Sequence, residues 1–257
     1  MASGPPSRAW LLRMKSTLEA VMSAYRAGDY KSALEKAEGL KDGISKTAPY
    51  CFLRGGMLCH LGRLVEAEES LREGLPLEED PRRRSLVFDE LASVLMNQKR
   101  FHEAIEFYEH ASRAWPERGA ARRGIAEVLL RQGCEFPEAL KEAQRAVAID
   151  KRVAAGSQKE KQVLEHRLGQ DLAVLAWALA VNSAGSATVE FSLGEAIRLC
   201  GDSAKAILAQ VHYHAGQAYL ALQNAEKSRE HFLRGAEIDP QGIFGEMARS
   251  TITKPSM

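Results

Sequence analysis

One phrase recurs along this chain. "AYRAGDYKSALEKA", beginning at Ala24, returns in altered spelling as "LCHLGRLVEAEESL", "LMNQKRFHEAIEFY" and "LLRQGCEFPEALKEA". The alanine in the middle of each copy falls at Ala33, Ala67, Ala104 and Ala139, giving steps of 34, 37 and 35 residues. That is the period of a stacked helical hairpin. A unit of this length cannot bury its apolar face alone and must lean on its neighbours. The expected product is an elongated right-handed α-α superhelix with an open concave surface, and its expected use is to hold something.

The punctuation of the helices agrees with this register. Asp80-Pro81 offers an N-cap acceptor followed by proline at the first helical position, where its missing N–H costs nothing. Ser157 with Glu160 reads as a capping box that opens a long helix. Gly28, Gly62 and Gly133 fall where the first helices of three hairpins must stop, at positions that want a left-handed residue. No segment alternates polar and apolar residues between turn signals, so strands are not expected and the fold class is all-α.

The spacing of particular residues resembles the tetratricopeptide repeat family. Ala215-Gly216, Tyr219, Phe232 and Asp239-Pro240 follow its pattern, as do Phe88, Leu91-Ala92, Leu95, Ala104, Tyr108, Ala111 and Pro116. Small residues such as Gly55, Ala92, Ala126 and Gly216 let the first helix of a hairpin approach the second, and large ones fill the space beside them. The resemblance covers roughly nine tenths of the chain. It implies a lead-in over 1–13 and six hairpins over 14–47, 48–84, 85–118, 119–155, 157–205 and 206–242. A capping helix and tail follow over 243–257. The fifth hairpin is degenerate, as in bacterial-type arrays of this family, with a turn expected at Asn182 to Val189 and a second helix near Phe191 to Cys200.

What the resemblance implies for function is a non-enzymatic adaptor or scaffold that binds a protein or peptide in its concave groove. In this family the first helix of each hairpin lines that groove. Carried onto this sequence, the lining is Leu18 and Met22, then Phe52 and Gly56, Asp89 and Ser93, Arg123 and Glu127, Trp177, and finally Tyr213 with Gln217. The row runs from apolar through charged to aromatic. It lacks the basic and amide set with which one subgroup holds the C-terminal carboxylate of chaperones, so that ligand is disfavoured.

Composition narrows the remaining classes. Lys and Arg number 35 against 34 Asp and Glu, so no long-range field steers the molecule toward nucleic acid or an anionic membrane. Arg82 to Arg84 and Arg118, Arg122 and Arg123 each open a helix and would share a rim, yet Glu78, Glu79, Asp80 and Glu117 stand beside them as neutralising partners. Nucleic acid is therefore disfavoured as a partner. Cys51 and Cys59 lie about 12 Å apart along one helix, too far for a disulfide, and free thiols fit a reducing compartment. The apolar run Ala9 to Leu12 is too short for a secretory signal, and Leu172 to Val181 is too short to span a bilayer, so a cytoplasmic location is expected.

Catalysis and cofactors find no support in the sequence. His102, Glu106 and His110 share one helical face, but it is the outer, solvated one, and no metal site is expected there. His212 and His214 point about 200° apart and cannot chelate one ion; His212 is expected to pack and His214 to face outward. No phosphate-binding glycine loop or nucleophile motif is present. A homo-oligomer formed through the apolar Leu172 to Val181 stretch is the second reading.

Overall fold

In the computed structural model, residues 8–39, 47–156, 161–201, 203 and 205–253 are described. They form six antiparallel helical hairpins and one further helix. The hairpins pair α1 (Arg8–Arg26) with α2 (Tyr30–Glu38), α3 (Ala48–His60) with α4 (Leu64–Gly74), and α5 (Pro81–Asn97) with α6 (Phe101–Ala114). They continue as α7 (Ala120–Gln132) with α8 (Phe136–Gly156), α9 (Lys161–Val181) with α10 (Ser186–Cys200), and α11 (Lys205–Ala221) with α12 (Ala225–Ile238). The closing helix is α13 (Ile243–Thr253). No strand occurs among the described residues.

Each first helix ends in the same way. The left-handed position is Gly28 (φ 79°), Gly62 (70°), Lys99 (63°), Gly133 (72°), Ser183 (62°) and Gln223 (58°) in the six hairpins. After each, the next residue donates its N–H to the carbonyl five residues back: Asp29 to Ala24, Arg63 to Leu58, Arg100 to Leu95, Cys134 to Leu129, Ala184 to Leu179 and Asn224 to Tyr219. This is the Schellman closure, which satisfies carbonyls that the helix end leaves orphaned. The three glycine stops read from the sequence are thus half of a set of six. Two of the second helices start on a side-chain cap: Asp29 accepts from the Ser32 N–H at 3.1 Å, and Asn224 from the Lys227 N–H at 3.0 Å. Asp80 caps α5 through the Arg83 N–H at 2.9 Å, as its pairing with Pro81 predicts. The expected capping box at Ser157 and Glu160 lies outside the described residues.

Within a hairpin, small residues hold the helices close. A Cβ added at Gly55 would come within 2.5 Å of Leu71, and one at Gly216 within 2.5 Å of the Phe232 ring. Buried serines of the adjoining helices reinforce the approach: Ser70 donates to the Cys51 carbonyl, Ser85 to Ala111 and Ser228 to Gly216. Three structural details differ from expectation. The first helix begins at Arg8, the fifth turn is confined to 182–185, and α10 starts at Ser186 rather than near Phe191.

First helices also pack on the first helices of the next hairpin, from α3 through α5, α7, α9 and α11 to α13, whereas second helices pack on their own hairpin and on the first helix that follows. First helices are therefore the inner layer of an α-α superhelix, and second helices the outer one. α9 is the most enclosed, touching α7, α8, α10 and α11. That explains its apolar run from Leu172, which has buried residues on every face and needs no partner molecule to cover it.

The superhelix is not the open, elongated groove that the repeat period predicts. Its first hairpin meets the turn between α12 and α13: the Tyr30 hydroxyl donates to Asp239 Oδ2 at 3.2 Å, across 209 residues of sequence. The Tyr30 ring stacks on His60 at 4.4 Å, and His60 Nε2 hydrogen-bonds the Tyr25 hydroxyl at 3.0 Å. α13 packs along α11 and α12 and turns Ile243 and Phe244 toward the inner layer.

Candidate functional site: the inner wall

The inner wall carries an unusual load of charge for a core. Arg123 Nη1 lies 2.7 Å from Asp171 Oδ1, and Asp171 is fully buried. Asp150, also fully buried, accepts from Arg167 at 2.5 and 3.1 Å and from the Gly119 N–H at 3.0 Å. Asp89 pairs with Arg118, and Glu127 with Arg131 one helical turn away. Arg122 reaches Glu142 at 3.1 Å. Each of these charges finds an opposite one, without which burial would be prohibitively costly.

The carboxyls are pushed in opposite directions. Burial alone would raise Glu127, but Arg131 and His214, whose Nε2 is 3.2 Å away, hold it well below the usual carboxylate range. Asp171 goes the other way, up to about 7, because burial and the adjacent Asp150 outweigh the pull of Arg123. Glu90 is also pushed up to about 7, by burial alone. His60 is lowered to about 4 by burial, and His212 to about 4 by burial and by His231, whose Nδ1 lies 2.9 Å from its own.

Asp89, Ser93, Arg123 and Glu127 come together around one cavity of about 170 Å³, which also meets His60, Glu90, Tyr108, Arg118 and Phe244. Of the other residues carried over from the sequence pattern, Leu18 is 47 % exposed and flanks a shallow recess with Met22, away from that cavity. Phe52 is half-buried against the core of the first three hairpins. Trp177 is buried with its ring stacked 6.0 Å from His214. Tyr213 is buried, accepts from Gln217 Nε2 at 3.0 Å and lies under Arg131 at 5.9 Å. The row is thus split into an exposed entry, a charged cavity and an aromatic interior.

Two sequence expectations are corrected by these contacts. His214 does not face outward; it is fully buried between Trp177, Tyr213 and Phe244, because its helix is covered by α9 on one side and α13 on the other. Arg82 and Arg118 do meet, at 5.4 and 5.9 Å from the Trp115 ring, but Arg118, Arg122 and Arg123 do not depend on Glu117 and the acids at 78–80 for neutralisation. They turn inward to Asp89, Glu142 and Asp171, while Arg83 pairs locally with Glu78 and Asp80. Sequence reasoning missed Glu90, Asp150, Asp171 and Phe244. A visible signal existed for Asp171, a lone acid just before the long apolar run of α9, which burial obliges to find a partner.

His102, Glu106 and His110 are exposed, and no group of three or more metal-ligating side chains is found among the described residues. Cys51, Cys59 and Cys200 are buried thiols, and Cys134 is exposed. Among the described residues, no helix is long and apolar enough to cross a membrane.

Comparison with known proteins agrees with this architecture. Sequence models of the tetratricopeptide repeat match residues 90–154 and 209–241. Among solved structures, a Rap protein complexed with competence and sporulation factor superposes with a TM-score of 0.61 at 13 % identity, over 91 % of this chain and 71 % of that one. The apo form of RapI gives 0.57 at 13 % identity, over 94 % and 99 %. PilW, a type IV pilus biogenesis factor, gives 0.53 at 16 % identity, over 91 % and 97 %. At these identities the likeness is one of fold. No curated protein matches the sequence. The hairpin period, the six repeated helix stops and the two matching segments agree that this chain carries tetratricopeptide repeats.

Proposed function

We propose that this chain is a non-catalytic scaffold that binds a protein segment along its inner wall, entering from the side of α1, α3 and α5. The observation that supports this most is the continuous inner layer of first helices. It gathers side chains from successive hairpins onto one surface while leaving a ledge at Leu18 and Met22 and a partly open cavity beyond it. Surfaces of this kind read extended or helical peptides through spaced anchors. That a Rap protein was solved with competence and sporulation factor bound adds a precedent for ligand capture on a related fold. In this reading Leu18, Met22 and Phe52 offer apolar contacts, and Asp89 and Ser93 offer polar ones. Arg123, Glu127, Trp177, Tyr213 and Gln217 serve as the preorganised floor behind them. The buried thiols accord with a reducing, cytoplasmic setting.

Site-specific photo-crosslinking in native cells tests this. A crosslinker at Met22 or Ser93 is expected to trap a defined partner that one at Val65, on the outer layer, does not; identical adduct patterns at the three sites remove the assignment.

A further inference from the structure

The cavity contains one group that the ionic network does not use. Glu90 projects into it from α5, one residue beyond Asp89 and three before Ser93, so that all three residues border the same space. Asp89 is committed to Arg118, Glu127 to Arg131 and Arg123 to Asp171. Among the described residues Glu90 has neither an ion-pair partner nor a hydrogen bond, and Ser93 has no hydrogen-bond partner. Opposite the carboxyl stands Gly56, where an added Cβ would lie 3.7 Å from Glu90 Oε1. That is ordinary van der Waals contact, so Gly56 closes one side of the carboxyl, while Glu90 also borders the cavity. Met96, Tyr108 and Phe244 line the space as well, and so do Arg118 and Arg123, whose charges are met by Asp89 and Asp171.

We infer that this cavity is a binding site for an organic ammonium group on a slim alkyl stem, with Glu90 as its counter-ion. The inference extends the proposed function by naming what the inner wall would recognise, but it does not require that the whole wall be used. Size sets the first limit. A cavity of about 170 Å³ is below the roughly 300 Å³ at which drug-sized sites begin. One side chain or one small amine fits.

Chemistry sets the second. An ammonium has three donors, and the two Glu90 oxygens with the Ser93 hydroxyl are three uncommitted acceptors. A guanidinium brings five donors and would leave some unmet in a partly buried space. Hard divalent cations want six or more oxygens or retained water, and the other carboxylates at the cavity, Asp89 and Glu127, are already committed to Arg118 and Arg131. The rings of Tyr108 and Phe244, the latter already faced by Arg131 at 6.0 Å, instead offer apolar surface to the alkyl stem of such a cation. Such a group comes from two sources, a lysine of a protein partner or a free amine, and the probes below separate them.

The experiment titrates the full chain at pH 8.5, by chemical-shift perturbation and calorimetry. The probes are n-butylammonium, 1-butanol, a blocked pentapeptide Ala-Ala-Lys-Ala-Ala and the same peptide with norleucine for lysine. The expected result is saturable binding of n-butylammonium with shifts at Glu90, Ser93 and Phe244, at least tenfold weaker for 1-butanol and at least tenfold weaker in Glu90→Gln. Lysine-peptide binding that the norleucine peptide lacks assigns the source to a protein side chain; n-butylammonium binding alone assigns it to a free amine. Ser93→Met, which keeps Glu90 and narrows the space, is expected to lose binding as well, and serves if Glu90→Gln does not fold. Equal binding of charged and neutral probes, retention in either folded variant, or no binding by any probe overturns the inference. Failure here with crosslinking still confined to Met22 and Ser93 would leave the wall as the binding surface and remove only its cation pocket.

Discussion

At the scale of single residues the molecule is governed by where carboxylates are allowed to be charged. Gly119 shows how tightly this is built: an added Cβ would come within 2.6 Å of the Ala146 carbonyl and within 3.1 Å of both the Asp150 and Asp171 carboxyl groups. Glu90 gives a test in solution. Burial raises its pKa to about 7 in the folded chain from the ordinary carboxylate value of 4.5, so the fold binds a proton that the unfolded chain releases earlier. The stability that this proton brings is complete below about pH 4.5 and is lost as the pH climbs through about 7. Gln at this position does not titrate. The melting temperature of Glu90→Gln minus that of the wild type is therefore expected to grow from pH 4.5 to pH 8. The gain is on the order of 1–3 kcal/mol, and each kcal/mol moves the midpoint by about 2–4 °C in a chain of this size. A difference that stays flat across this range would show that Glu90 is solvated or paired. His60 and His212, both lowered to about 4, act in the opposite sense: their contribution falls as the pH drops below 6.5, and they are common to both proteins.

At the scale of elements the repeat was legible because it is local. Periodic apolar residues, the proline at Pro81 and the small residues at Gly55 and Gly216 each act within one hairpin, and the structure places them as their chemistry requires. The helix stops were legible only where glycine marks them. Lys99, Ser183 and Gln223 hold the same left-handed turn without that signal, because the two backbone hydrogen bonds of the closure offset the roughly 1–2 kcal/mol that a side chain costs there. Gly62 isolates this term. Its φ is 70° and no atom lies within 4 Å of an added Cβ, so Gly62→Ala meets no steric obstacle and pays only in backbone conformation. A loss of about 1 kcal/mol, seen as a lower urea midpoint with unchanged slope, is the expected outcome. A neutral or stabilising substitution would mean that the turn tolerates L-residues without strain, as its three non-glycine counterparts would then also do.

At the scale of the whole molecule the sequence is least informative, because the decisive contacts join residues that no period relates. The apolar character of α9 was visible but its cause was not: the helix lies at the centre of its neighbours rather than on a surface awaiting a second copy. Likewise, six hairpins do not by themselves dictate that the first should touch the last. That contact depends on a small set of groups: Tyr30 on Asp239, the stacking of Tyr30 on His60, and the hydrogen bond from Tyr25 to His60. Repeat arrays are otherwise held by nearest neighbours alone, so removing a long-range contact should free the terminal unit without unfolding the rest. Tyr30→Phe deletes only the hydroxyl that donates to Asp239 and keeps the ring against His60. The net cost is expected to be about 0.5–1.5 kcal/mol, the range for one hydrogen bond. Its effect should be confined to the seam: amide exchange in α1 and α2 accelerates by about three- to tenfold, while α7 to α11 keep their protection. If the change instead slows nothing and quickens nothing, the ends are held together by packing. If protection falls along the entire chain, closure is a condition of folding rather than a latch, and the inner wall is never open to a partner from that side.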